Sequence, residues 1–572
     1  MRLLLTVPTI ALLSACSQHV TESQSDVKVQ SDSQEQADIG NQIKFNEARF
    51  RIDIKTLSSD KFEGRAPTTK GETLTLNYLT SAFKQMGLVG ANHGDFLQAV
   101  PMVSYTASEQ QVIRLAGTEL THRKDVVLGS RHDNGGIDIS KAPLVFVGYG
   151  ISAPEYDWDD YKNIDMTGKI AVILVNDPGF ANPQSGLFNG KAMTYYGRWD
   201  YKYEEASRHG ALGAIIIHDT APASYPWSVV ENSWTGAQQD LAQSKHDQAK
   251  HIQVEGWITL NAATALFTQS GLSLSTLMKQ AASRPLNYPL KQTADIQFTN
   301  KAEYANSYNV VATLPGITTP DEHVLFSAHW DHLGVDESKS GDNIYNGALD
   351  NASGTAGILE IARQFAEQAR NGHPSDRSVT FIATTGEEQG LLGSRYYAAH
   401  PLYPIDKSVA LFNLDSTNIY GRTRDYTIVG KGKSELESYL IKALASQQRT
   451  ATAEKNPQSG GFFRSDHFSF AQKGIPAVFA GGGSQPVDEA TRQYKALMKQ
   501  TMKDCYHNTC DEYRDDWDLS GALEDIAVYY HAAHALANSD NWPGYYQGTE
   551  FHHLRAAKST QGPTIANVGV SE

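Results

Sequence analysis

From residue 305 onward strand-like and helix-like patterns alternate, and that alternation limits the fold more than any other feature of the chain. The runs Val310 to Leu314, Val324 to Ala328, Ser378 to Ala383, Val409 to Leu414 and Pro476 to Ala480 have strand length and apolar texture. Two longer stretches carry helical spacing instead. Gly354 to Arg370 places Ile358, Ile361, Ala362, Phe365 and Ala366 on one stripe, and Leu519 to Asn538 does the same with Leu523, Ile526, Ala527 and Tyr530. Strands separated by helices pair through crossovers, so the expected class is α/β, with a mixed, largely parallel sheet flanked by helices.

Upstream, Leu74, Tyr78, Leu79, Phe83 and Met86 recur at helical spacing, and Gly87 marks the stop of a helix that begins near Gly71. Between about 105 and 300 the texture changes to short β-type runs, Leu144 to Val147, Ile170 to Val175 and Ala214 to Ile217, set among Gly, Pro, Asn and Asp. At 572 residues the chain exceeds what one core supports. We therefore expect one domain built from 41–104 and 301–572, interrupted by a β-rich insert over 105–300. The run Ala206-Ser207-Arg208-His209-Gly210-Ala211-Leu212-Gly213-Ala214, a helix end feeding a buried strand, resembles the protease-associated domain.

Arg2 precedes an apolar run from Leu3 to Ala15 that is too short to span a bilayer and suits an export signal. Its end, Leu13-Ser14-Ala15-Cys16, resembles a bacterial lipobox. That resemblance implies a signal over 1–16, a lipid anchor on Cys16, and a protein held on the periplasmic side of the envelope, at the outer membrane. Residues 17–40 are too poor in apolar side chains to form a core and are expected to act as a tether. A net charge of −15 with no Lys/Arg cluster excludes nucleic acid as a partner. The remaining cysteines, Cys505 and Cys510, fall five apart. Export favours a bridge over two free thiols, and the bridge would stiffen the loop carrying Tyr506 and His507.

The residues able to do chemistry gather at the ends of the predicted strands, where open α/β sheets place their ligands. They are His329-Trp330-Asp331-His332, Asp350-Asn351-Ala352-Ser353-Gly354, Glu387-Glu388, Asp415 and Tyr506-His507. Each segment alone has an ordinary reading as a packed histidine or a solvated turn. Together they bring histidines and carboxylates in the proportion that a pair of borderline cations such as Zn²⁺ requires.

The order His-x-Asp, Asp-Asn-Ala-Ser-Gly, Glu-Glu, Asp, Tyr-His resembles the M28 family of co-catalytic zinc peptidases. Phe62-Glu63-Gly64-Arg65, the insert, and Asn541-Trp542-Pro543 after the last helix extend the likeness over most of the chain. The resemblance implies two Zn²⁺, with Asp350 bridging, His329 and Asp415 completing one site, and Glu388 and His507 the other. Such a bridge holds two cations ~3.5–4 Å apart, where they share a water and lower its pKa. Glu387 is then the general base, Asp331 is placed to accept the second imidazole N–H of His329, and Tyr506 to donate to the oxyanion. His332 is not used by the family pattern and is expected beside the ligands or at the surface. Ser465-Asp466-His467 has the letters of a triad, but three adjacent residues do not form a relay, and no Gly-x-Ser-x-Gly elbow occurs. Phe462, Phe463, Tyr195, Tyr196 and Trp199 are expected to line a specificity pocket or to pack the insert against the catalytic domain.

The expected activity is that of an aminopeptidase acting on peptides outside the cytoplasm. The alternatives are a carboxypeptidase of the same family taking acidic dipeptides or N-acyl amino acids, and a peptide-binding relative without catalysis. Cyclisation of N-terminal glutamine at one zinc is disfavoured by the complete two-metal set.

Overall fold

The computed structural model of the protein describes residues 45–244, 251–337 and 339–557. The expected signal, Cys16 anchor and tether over 17–40 lie outside the described residues. Helix α1 (Glu47–Leu57) starts where the Asn46 side chain accepts from Arg49 N, and α2 (Lys70–Met86) where Thr69 accepts from Glu72 N. Gly87, at φ 89°, ends α2 in the left-handed region that a residue without Cβ adopts freely. Strand β1 (Leu97–Ala107) follows and runs through the expected boundary at 105.

Within residues 105–300 lies a sheet ordered β3-β4-β5-β6-β2, from β2 (Val126–Gly129), β3 (Gly136–Phe146), β4 (Ile170–Leu174), β5 (Gly213–His218) and β6 (Val254–Thr259). All pairs in it are parallel except β6 with β2. Helix α3 (Trp199–Arg208) crosses over between β4 and β5. The period-two rule divides the β4 side chains between two cores: Ile170, Val172 and Leu174 face one, Ala171 and Ile173 the other. Both faces are covered, which explains runs of unbroken apolar sequence. In β6, Gly256 permits close approach of β2, because a Cβ there would stand 2.1 Å from the Val127 carbonyl oxygen.

A 27-residue strand, β7 (Tyr288–Leu314), crosses the expected boundary at 300 and ties the two sheets together. Its first half runs antiparallel to β3, its middle antiparallel to β1, and its last residues, Val310 to Leu314, antiparallel to β9 (Arg377–Thr384). Beyond it β8 (Thr319–His329) lies between β9 and β10 (Ser408–Asn413), and β10 pairs with β11 (Ala477–Gly482). Those four strands are parallel, as the alternation with α4 (Ser353–Arg370), α5 (Leu392–Ala399) and α6 (Ser520–Ala537) requires.

One face of this sheet stacks Phe326 on Phe381 and Phe412, at centroid distances of 5.2 and 5.4 Å, beneath Phe365 of α4. The other packs Val311, Leu325, Ile382 and Leu411 against Tyr397 and Phe470. All five predicted stripe residues of α4 are buried. In α6 the buried line differs from the expected one: Ile526 and Tyr530 are buried, while Leu523 and Ala527 are only half-buried. The buried face takes Asp525 instead, whose charge is met by Arg449 at 2.6 Å and by the Gly482 N–H. Among the described residues no helix is long and apolar enough to cross a membrane.

Gly256→Ala is expected to cost about 1–3 kcal/mol of stability through overpacking, read as a lower urea midpoint with an unchanged slope. An unshifted midpoint would show that β2 and β6 are not held at that approach.

Candidate metal centre

The C-terminal ends of the parallel strands deliver the polar side chains to one place. His329 is the last residue of β8, Glu387 and Glu388 follow β9 after a short turn, and Asp415 lies two residues beyond β10. Asp350 sits in an irregular turn, Ala348–Ala352, that leads into α4. His507 comes from a loop closed by a Cys505–Cys510 disulfide.

The two oxygens of Asp350 face two different groups. Its Oδ1 is 3.2 Å from His329 Nε2, which also lies 3.5 Å from Asp415 Oδ1 and 4.0 Å from Glu387 Oε2. Its Oδ2 is 3.3 Å from His507 Nε2, and that nitrogen is 2.9 Å from Glu388 Oε2. His332 is fully buried, with Nδ1 2.6 Å from Glu388 Oε1, so Glu388 is held between two imidazoles. Ligand atoms of His329, Asp350 and Asp415 fall within 4.8 Å of one another, as do those of His332, Asp350 and Glu388.

Asp331 takes a different partner from the one expected. Its side chain is 3.7 Å from His329 Nδ1, and the near neighbour of that nitrogen is the Asp331 carbonyl oxygen, at 3.2 Å. The carboxylate accepts instead from the backbone N–H groups of Glu387, at 3.1 Å, and Glu388, at 3.4 Å. The turn after β9 presents two adjacent donors to a buried anion, and these satisfy it better than one ring nitrogen set off to the side. Tyr506 is 74% exposed, its ring stacked 3.9 Å from that of His507. His467 is buried with neither ring nitrogen hydrogen-bonded, and burial lowers its pKa to about 3, so the Ser465-Asp466-His467 run forms no relay. Asp466 instead accepts a hydrogen bond from Thr384 at the end of β9.

Local sequence locks the turn around Asp350. The Asn351 side chain accepts from Gly354 N and Ser416 N and donates to Leu414 O, joining this turn to the Asp415 loop. A Cβ at Gly354 would lie 2.1 Å from Asn351 Oδ1, which accounts for glycine there. The Asp511 carboxylate accepts from Leu349 N and Asp350 N, so the residue next to Cys510 fastens the disulfide loop to the same turn.

Arg65, quoted in the sequence only as part of a motif, proves central to this arrangement. It is 1% exposed, and its guanidinium donates to the carbonyl oxygens of Leu57, Trp330, Asn346 and Gly347, all at 2.6–2.8 Å. The Trp330, Asn346 and Gly347 carbonyls belong to the segments that carry His329, His332 and Asp350, and the Leu57 carbonyl ends α1. The positive charge also faces Asp511, Asp331, Asp350 and Glu388.

The centre as built is short of positive charge. Burial, with the charges of Asp415 and Glu388 added, pushes the Glu387 carboxyl well above its usual range despite His329, and burial raises Asp331 to about 7. Burial opposes the charge on His507, yet its contacts to Asp350 and Glu388 lift it to about 10. The Nε2 atoms of His329 and His332 are buried without a hydrogen-bond partner among the described residues. Borderline divalent cations supply what such nitrogens and crowded carboxylates lack, and the donor set fits them.

Residues 309–531 match the sequence profile of Peptidase family M28. Among curated proteins, Aminopeptidase NAALADL1 of Rattus norvegicus is 30% identical over 160 residues, 27% of this chain and 19% of that protein. A probable zinc metalloprotease of Pyrenophora teres f. teres is 38% identical over 111 residues, 19% of this chain and 22% of that protein. The chain thus spans about a fifth of the length of these curated relatives. A solved aminopeptidase from Aneurinibacillus sp. strain AM-1 aligns over 88% of this chain and 96% of its own, at 20% identity and a TM-score of 0.48.

Arg65→Lys keeps the charge but not the planar fork that serves four carbonyls. It is expected to weaken divalent-cation affinity about 10–100-fold, as loss of an orienting partner does, measured by metal retention against a buffered chelator. Retention equal to that of the unmodified chain would mean that Arg65 does not set the spacing of the ligand segments.

Proposed function

We propose that this chain is a two-zinc exopeptidase, an aminopeptidase acting on peptides outside the cytoplasm, in which Asp350 bridges the two metals. The observation that carries this reading is the opposed placement of the Asp350 oxygens, one toward His329 and Asp415, the other toward His507 and Glu388. His329 and Asp415 would hold one zinc, and Glu388 and His507 the other. His332 would orient Glu388 from behind. Bound in this way, the zinc pair would polarise the scissile carbonyl and acidify water toward neutral pH.

The remaining chemistry falls to the chain's own residues. Glu387 is 4.0 Å from His329 Nε2, and its backbone is fixed by Asp331. In this reading its carboxylate stays off the metals, takes the proton of the attacking water and returns it to the leaving amine. Tyr506, exposed to the cleft beside His507, would donate its hydroxyl to the oxyanion of the tetrahedral intermediate. Asp331 acts as a positioning residue. The disulfide and Asp511 keep the His507 loop registered to Asp350, so the second half of the site does not depend on a free loop. Anchoring through Cys16 by the tether 17–40, and a protease-associated insert over 105–300, complete the proposal.

Glu387→Gln is expected to keep two zinc ions per chain and lose about 10²–10⁴-fold in kcat on aminoacyl-anilides. Asp350→Asn is expected to lose zinc and activity together, since it removes the charge shared by both sites. Full turnover in the Glu387 variant would overturn the base assignment. An unmodified chain that binds two zinc ions but hydrolyses neither anilides nor dipeptides would be a binding protein.

A further inference from the structure

The turn that carries Glu387 and Glu388 is held unevenly. Its inner side is fixed where Asp331 accepts from both backbone N–H groups. Its outer end reaches Gly390, which is exposed and has no heavy atom beyond its chain neighbours within 4 Å of a Cβ position, so packing does not hold that end. The Gly390 carbonyl nevertheless has a partner. Arg395 of α5 donates to it from Nη1 at 3.4 Å, and the same nitrogen lies 3.2 Å from Asp240 Oδ1. Asp240, Arg395, Gly390 and Glu387 all line one cleft of about 570 Å³.

Asp240 comes from the strand Ala237–Leu241, which runs antiparallel to β1 and pairs Leu241 with Met102. That strand meets α5 through an apolar contact, in which Leu241 and Tyr396 pack on Val100, Met102 and Leu392. Beside it Asp240 is buried and both of its oxygens are engaged. Oδ1 takes Arg395 and the Leu241 N–H, and Oδ2 takes Arg131, whose Nε is in turn 2.6 Å from Glu255 Oε1 of β6. Burial opposes the charge on Asp240, but Arg131 and Arg395 outweigh it and hold the carboxyl at about 2. The carboxylate is thus a fixed anion at neutral pH, set in place by the strands within 105–300 and not by the turn itself. A guanidinium presents its donors in a rigid fork, so an anion fixed on one side sets the direction of its remaining N–H bonds. We infer that Arg395 is a positioning residue for the turn over 387–390, aimed at the Gly390 carbonyl by Asp240, and that the segment 105–300 thereby helps to hold the general base. The effect on rate rests on the peptidase reading above, whereas the hold on the turn does not.

The test compares the zinc-loaded full chain with Arg395→Met, Arg395→Lys, Asp240→Asn and the double variant Asp240→Asn/Arg395→Met on a leucine anilide. Arg395→Met and Asp240→Asn are each expected to lower kcat about 10–100-fold, as a misplaced catalytic group does, with KM moving less than about twofold. Arg395→Lys keeps the charge and is expected to recover part of that loss. The double variant is expected to lose no more than Arg395→Met alone, because Asp240 acts through Arg395. Single losses that multiply in the double variant overturn the inference. So does a lower urea midpoint with kcat unchanged, which marks an ion pair that serves stability alone, and so does a loss carried by KM, which marks a substrate contact. The Arg395 side chain is 37% exposed, so Arg395→Met carries the test if the buried Asp240 variant does not fold. Amide hydrogen exchange over 386–393 reads the hold without turnover, and in Arg395→Met it is expected to quicken at least about tenfold there and nowhere else. A chain that hydrolyses no peptide but shows that local rise keeps the hold and loses the peptidase reading. Unchanged exchange in Arg395→Met overturns the hold whatever the activity.

Discussion

Asp350, Glu387, Glu388 and Asp415 are drawn within a few ångströms of His329, His332 and His507, and this buried crowd of like charges sets the terms for the rest of the molecule. Burial opposes the charge on these carboxylates: it holds Glu387 well above its usual range, whereas contacts with His329, His332 and His507 outweigh it at Asp350 and Glu388 and keep those two below theirs. Arg65 adds one fixed positive charge from beneath. Divalent cations between the two groups would reverse the balance, so that crowding which burdens the bare cluster becomes the source of its affinity.

Such a cluster needs a rigid frame, because its members come from five places between His329 and His507. The frame is made of backbone contacts rather than ligand contacts. Asn351 ties the Asp350 turn to the Asp415 loop, Asp511 ties it to the disulfide loop, Asp331 holds the Glu387–Glu388 backbone, and Arg65 gathers the segments bearing His329 and Asp350. Each of these anchors is a buried polar group whose partners are main-chain donors or acceptors. Loss of any one leaves an unsatisfied group as well as a displaced ligand.

Much of this was legible beforehand, for definable reasons. Parallel strands buried on both faces write continuous apolar runs, and their C-terminal ends expose the next few residues to a common crevice, so His329, Glu388 and Asp415 could be grouped before any coordinates. The helix over residues 70–86 and the stripe of α4 followed from spacing and caps. Local rules carry no information on contacts between distant segments. Nothing near Arg65 signals that it will serve carbonyls more than 260 positions away, and the approach of His332 to Glu388 depends on how β8 and β9 pair. Spacing suggested that the Asp331 carboxylate would hold His329, but the turn after β9 offered it two backbone donors. Likewise the texture change at 105 and 300 marked a real shift in composition while β1 and β7 run unbroken through both positions.

The central claim is that Asp350 stands between two metal positions. Zinc-edge anomalous diffraction from crystals of the zinc-loaded chain tests it most directly. The account predicts two peaks about 3.5–4 Å apart, one beside His329 and Asp415, the other beside Glu388 and His507, with the Asp350 carboxylate spanning them. A single peak, or a pair that leaves Asp350 to one side, would contradict it.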